Sequence, residues 1–88
     1  MRHPTAEYVL AIIAPLLEHT NGLRDVAGLE TAHELRITVW VRTARAKSIV
    51  IGRGGENIHA IQHLANERQH RDDPSLKVKI DVILGGDT

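Results

Sequence analysis

Three glycines fall within four positions, Gly52, Gly54 and Gly55, in the segment Ile49-Val50-Ile51-Gly52-Arg53-Gly54-Gly55-Glu56-Asn57-Ile58. Such a cluster costs backbone entropy and is useful where the chain turns sharply or another backbone approaches closely. If a helix begins just after it, the loop offers unpaired N–H groups and the positive end of a helix dipole, both of which attract phosphate. Two familiar phosphate loops do not fit. The Walker pattern needs four residues between its glycines and then Lys-Ser/Thr, whereas two residues separate Gly52 from Gly55 and Glu56-Asn57 follow. The dinucleotide fingerprint needs a third glycine where Asn57 stands.

Other residues carry weaker chemistry. His59 and His63 are spaced i, i+4, and His70 follows seven positions on, so one helical face can hold all three. That spacing can bind zinc, but no Glu follows His59 in the H-E-x-x-H manner, and the plain reading is a solvated polar face. If nucleic acid passed nearby, these rings would strengthen phosphate binding as they charged in mild acid. Asp72-Asp73 precedes Pro74 and reads as a turn rather than a catalytic pair. No nucleophile, base and orienting group fall into a catalytic pattern, so no enzyme and no cofactor or metal are expected.

These residues need elements to hold them. Thr5 can cap a helix carrying Val9, Ile12, Ile13, Leu16 and Leu17 as one apolar stripe, with a kink or restart expected at Pro15 and an end at Asn21-Gly22. Leu23 to Leu29 is a weak strand, its alternation broken by Ala27-Gly28. Glu34 to Val41 is a strong one, because Leu35, Ile37, Val39 and Val41 alternate with Glu34, Arg36, Thr38 and Trp40. Thr43 can cap a short helix to about Ile51, although Ile49-Val50-Ile51 is β-branched throughout. Gly55 to about His70 reads as a helix with Ile58, Ile61, Leu64 and Ala65 inward, and Leu76 to Leu84 as a third strand. The order is α-β-β-α-α-β: an α+β fold with a three-stranded mixed sheet and helices on one face.

The chain has 88 residues, enough for one domain, expected over residues 5–84 between flexible ends at 1–4 and 85–88. It has no Cys, which excludes disulfides, thiol chemistry and Cys-bound metals. The longest apolar run, Val9 to Leu17, is too short to span a bilayer, and no export signal precedes it, so a cytoplasmic location without membrane contact is expected. The net charge is zero but unevenly spread. Residues 42–71 hold six basic and two acidic side chains, a balance of +4, and each flank balances at −2. Chance distribution accounts for this as readily as a polyanion-binding face.

A third phosphate-gripping turn does fit. Val50-Ile51-Gly52-Arg53-Gly54-Gly55, followed by Ile58, Ile61 and Leu64, resembles the I-G-x-x-G core of a KH domain. The element order resembles the type II, bacterial-style version, and the chain is similar to small single-KH bacterial RNA-binding proteins. Gly52 to Asn66 also resembles the KH part of Jag proteins. The resemblance implies single-stranded RNA, and as a further ligand single-stranded DNA, held through its phosphates by Gly52, Arg53, Gly54 and Gly55, with Ile51 and Ile58 bordering an aliphatic groove. The groove's other wall would be the third strand and the turn at His70 to Pro74. Arg45, Lys47, Asn57 and His59 would complete the nucleic-acid surface. Gly54 departs from the commoner basic or polar residue, which weakens the expected electrostatic grip. Neither Tyr8 nor Trp40 is expected in the groove, so binding should be modest, and a second KH unit, in a homodimer or a partner, would add avidity. The alternative is a KH-shaped assembly module whose protein interface is the open sheet around Arg36, Thr38 and Trp40. A nucleotide-phosphate binder using the same loop is the third possibility.

Overall fold

The computed structural model describes residues 2–85. It runs α1 (Pro4–Leu17), β1 (Leu23–Glu30), β2 (Glu34–Val41), α2 (Ala44–Ile51), a 3₁₀ turn (Arg53–Gly55), α3 (Glu56–Asp72) and β3 (Lys77–Leu84). The order and the α+β class are those the sequence implies. The sheet order is β1-β2-β3, with β2 antiparallel to β1 and parallel to β3, so the sheet is mixed.

Alternation in β2 decides which face is covered. Leu35, Ile37, Val39 and Val41 are fully buried beneath the helices, while Arg36 is exposed and Thr38 and Trp40 are half-buried on the other face. Val26 of β1 and Val78 of β3 join the same core, and α1 adds Ala6, Val9, Ile13 and Leu17. Ala46 and Val50 of α2 and Ile61 and Ala65 of α3 complete it. Each fully buried aliphatic side chain contributes about 1.5–3 kcal/mol, which is how a core without a single aromatic holds the domain.

Several local expectations give way to packing. β1 is a full eight-residue strand despite Gly28, because α1 crosses there: a Cβ on Gly28 would lie 3.1 Å from the Cβ of His3. α1 runs across Pro15 without a restart. Its N-cap is His3 rather than Thr5: the His3 ring accepts the Thr5 N–H at 3.1 Å through Nδ1, leaving Nε2 against Glu30 at 2.7 Å. Thr5 is buried instead, and its hydroxyl donates to Gln69 Oε1 at 2.5 Å, joining α1 to α3. Of residues 1–4, expected as a loose end, Met1 lies outside the described residues and residues 2–4 are engaged. Pro4 opens α1, and the Arg2 guanidinium bonds Val26 O, Glu7 and Asp25. Of the expected C-terminal tail, Gly85 donates to Val41 O at 3.0 Å, and residues 86–88 lie outside the described residues.

The α3 stripe is also shifted from its expected position. Ile61 and Ala65 are buried and Ile58 packs against the core, but Leu64 is 40% exposed and Gln69 takes the inward place near the end of the helix. α3 continues to Asp72, two residues past its expected end, and the turn before β3 is correspondingly shorter. No helix among the described residues is long and apolar enough to cross a membrane.

Candidate nucleic-acid interface

The G-x-x-G turn is built by the helices on either side. Thr43 caps α2 by accepting the Ala46 N–H at 3.0 Å, as expected, and that cap outweighs the β-preference of Ile49-Val50-Ile51. α2 ends when the Gly52 N–H donates to Ser48 O at 2.8 Å. Gly52 has φ 78° and ψ 172°, a region almost reserved for glycine, and a Cβ there would lie 2.8 Å from Asn57 Cγ and 2.9 Å from the Asn57 backbone nitrogen. Gly54 and Gly55 follow with φ 61° and 81°, turning the chain left-handed into α3. All three glycines therefore sit where the backbone favours glycine, and Gly52 is held to it by close packing as well.

Within the turn, the Gly55 N–H donates to Gly52 O at 3.1 Å and the Glu56 N–H to Arg53 O. The N–H groups of Arg53 and Gly54 have no backbone partner among the described residues. Both residues are exposed, and nothing stands within 4 Å of where a Gly54 Cβ would project. The turn thus presents two free amides, an unpaired guanidinium and an open approach at its apex. An oxyanion arriving there meets N–H donors and loses little shape complementarity to side chains.

The surrounding cations are uncommitted too. Arg45 is exposed and Lys47 half-buried on α2, and neither they nor Arg53 form an ion pair with any described residue. Ile51 is half-buried beside the turn; Ile58 is half-buried and touches the core. His59 is exposed one turn into α3. Asn57 serves the scaffold, since its Nδ2 donates to Ile49 O at 2.8 Å and so ties the first turn of α3 to the last turn of α2. The sequence places Asn57 at the nucleic-acid surface and does not by itself disclose this tie; an Asn two residues after the last glycine of a G-x-x-G, able to reach back to the end of the preceding helix, is the available signal.

β3 is an edge strand, and α3 covers part of its free edge. Gln62 Oε1 accepts the Ile80 N–H at 3.0 Å and Gln62 Nε2 donates to Val78 O; Asn66 Oδ1 accepts the Val78 N–H at 2.9 Å. By sequence alone these two amides are only polar surface. Their effect is to seal the outer edge of β3 at Val78 and Ile80 and to clamp α3 over it. The second wall expected of an aliphatic groove is thus near at hand, with Ile80 and Val82 half-buried.

The aromatic side chains lie elsewhere. Tyr8 sits under the Arg68 guanidinium, 5.7 Å from ring centre to Cζ. Trp40 lies on the uncovered sheet face opposite Ile83 of β3 and Asp25 of β1, with Gly85 passing close to its indole. Arg36 pairs with Glu34 at 3.5 Å on the same face. Of the three histidines on α3, His63 approaches Glu67 at 3.1 Å and all three are exposed. Among the described residues no three His, Asp or Glu side chains gather as a metal site.

Among the described residues two carboxylates are held below their ordinary range, and neither is at the turn. Asp25 is lowered first by the Arg2 guanidinium and then by the Val26 N–H. Asp73 is lowered by the hydroxyl and then the N–H of Ser75, an Asx-type turn that leads into β3. Both bonds serve the fold.

No curated protein matches the chain. The family model described as KH domain matches residues 21–83, from the loop after α1 to the penultimate residue of β3, with the G-x-x-G turn inside the match. A match over most of the chain, on an α+β fold with a three-stranded mixed sheet and a helix–Gly-x-x-Gly–helix turn, places this protein in the KH domain family, a family of nucleic-acid-binding modules.

Proposed function

We propose that this KH domain binds single-stranded RNA at the Gly52–Gly55 turn, as a non-enzymatic, cytoplasmic accessory or chaperone-like module of the type II class. The carrying observation is the apex of the turn, where, among the described residues, the Arg53 and Gly54 amides have no backbone partner and Arg53, Arg45 and Lys47 have no counter-charge. The phosphates of about two nucleotides are held there without sequence being read. Roughly four unpaired bases lie over the aliphatic surface of Ile51 and Ile58, toward β3. The order α-β-β-α-α-β supports the type II reading.

With neither Tyr8 nor Trp40 at the turn, the ~1–3 kcal/mol per base that their stacking would supply is missing. Affinity is therefore micromolar or weaker, and a second KH unit, in a homodimer or a partner protein, makes the binding useful. Single-stranded DNA offers the same phosphates and competes.

Titrating labelled RNA, single-stranded DNA and ATP against the protein tests the reading. RNA should bind best, with log affinity falling against log salt at a slope of roughly −1.5 to −3, about −0.7 for each phosphate contacted. Binding of ATP alone would overturn it.

A second reading rests on a separate surface. The outer sheet face carries Trp40 beside Ile83, which is 44% exposed, and no helix covers it. A protein-assembly role for Arg36, Thr38 and Trp40 predicts self-association or partner capture that Trp40→Ala abolishes while RNA binding is retained.

A further inference from the structure

The turn that presents amides to an anion also carries a side chain of the opposite sign. Between Ile49 and Ile58 the charged residues are Arg53 and Glu56, and Glu56 directly follows the second framing glycine. Glu56 is exposed and opens α3, and its N–H donates to Arg53 O, which fixes its backbone to the turn. Its carboxylate forms neither a hydrogen bond nor an ion pair with any described residue. The two groups within helical reach that could neutralise it, Arg53 three positions before and His59 three after, leave it alone. Cα–Cβ bonds in a helix tilt toward its N-terminus, so a side chain on the first residue leans back over the preceding turn. That tilt brings the carboxylate toward the end of α3 where the Arg53 and Gly54 amides open.

The charge favours the fold and opposes a ligand. Gly55, the N-cap of α3, offers no side chain to the first-turn amides, and Glu56 is the acid of that turn. A carboxylate there stabilises the helix through its dipole. An arriving phosphate seeks the same positive end, and the carboxylate repels it. The repulsion grows with the charge of the ligand. In water at ~6 Å, each unit of ligand charge costs about threefold in affinity. A phosphodiester inside a strand carries one negative charge and a terminal phosphate about two, so the penalty rises from about threefold to about tenfold.

We propose that Glu56 is a selectivity residue of the turn: it admits the singly charged phosphodiesters of a strand and turns away the more highly charged phosphates of free nucleotides. The inference rests on the proposed RNA-binding role of the turn and adds what that turn excludes. Glu56 touches no base in this scheme; it acts through its charge on whatever the Arg53 and Gly54 amides hold.

Fluorescence anisotropy on the full chain tests it, with a labelled uridine tetranucleotide lacking terminal phosphates and magnesium-free ATP as displacer, at low ionic strength. Glu56→Gln should bind the tetranucleotide about threefold more tightly and ATP about tenfold more tightly, so that selectivity narrows by about threefold. Glu56→Asp keeps the charge and should match the wild type on both ligands. Glu56→Gln should also melt slightly lower by circular dichroism, because α3 loses the acid of its first turn. A lower Tm with both affinities unchanged would mean a purely structural role and overturns the proposal. Equal gains for RNA and ATP, a loss of RNA affinity, or ATP that displaces nothing from either protein overturn it as well; all three leave the RNA-binding role standing. If neither wild type nor variant binds the tetranucleotide, that role falls and this inference with it.

Discussion

Replacing Arg53 and Gly54 together by Asp should abolish RNA binding while preserving the fold. The two positions change the charge at the apex by three units: Arg53 goes from positive to negative, and Gly54 from neutral to negative. A unit charge pair ~5 Å apart is worth ~0.8 kcal/mol in water and more where solvent is partly displaced, so three units cost about 3 kcal/mol. At 1.4 kcal/mol per tenfold, that is roughly a hundredfold loss, moving a micromolar complex toward the millimolar range. The structural cost is smaller. Arg53 has no ion pair to lose, Gly54 has open space where a Cβ would go, and its φ of 61° with ψ of 18° is a left-handed geometry that Asp tolerates better than most residues. A loss of about 1 kcal/mol there lowers Tm by about 4–8 °C in a domain this small. Fluorescence anisotropy with a labelled single strand reads the affinity, and circular dichroism on the same samples reads the fold. Binding within threefold of wild type, in a variant that still melts cooperatively, would refute the assignment of the turn as the phosphate site.

The remaining expectations concern the scaffold. Gly52→Ala should destabilise far more than Gly54→Ala, because the first forces a Cβ to within 2.9 Å of Asn57 backbone in a glycine-only region while the second meets nothing; similar melting temperatures for the two would contradict this. Asn57→Ala should destabilise the fold by about 1 kcal/mol through loss of its bond to Ile49 O, read as a lower Tm, and leave the salt slope of RNA binding unchanged. Thr5→Val strands the buried Gln69 carbonyl and should cost about 1–3 kcal/mol in urea unfolding, most of it recovered in Thr5→Val/Gln69→Leu; a double variant as unstable as the sum of the single changes would show the bond is not the cause. Asp25 is lowered in the folded chain, so its contribution to stability is present above the ordinary carboxylate pKa and fades as pH falls through the lowered value. Arg2→Ala should therefore flatten the loss of stability below about pH 4, and an unchanged acid profile would argue that the Arg2–Asp25 pair is idle.

Much of this protein is legible along the chain because the physics is local. Alternation over eight residues settles the covered face of β2, and with it the outward position of Trp40. A hydroxyl at Thr43 is enough to start α2, and three clustered glycines announce a left-handed turn wherever they stand. Tertiary packing decided the rest, since it depends on partners remote in sequence. Thr5 has the side chain of a helix cap, but with Gln69, sixty-four positions away, it forms a buried cross-link, and His3 takes the cap. Leu64 has the hydrophobicity of a core residue, yet the buried row of α3 runs through Ile61, Ala65 and Gln69 and leaves Leu64 40% exposed. Gln62 and Asn66 look like solvated amides until β3, an edge strand, lies alongside and needs its open N–H and C=O groups satisfied. Residue type and short spacing are enough for elements and turns; which polar groups are consumed by the fold, and which remain at Arg53 and Gly54 for a ligand, is set only once distant backbone has been paired.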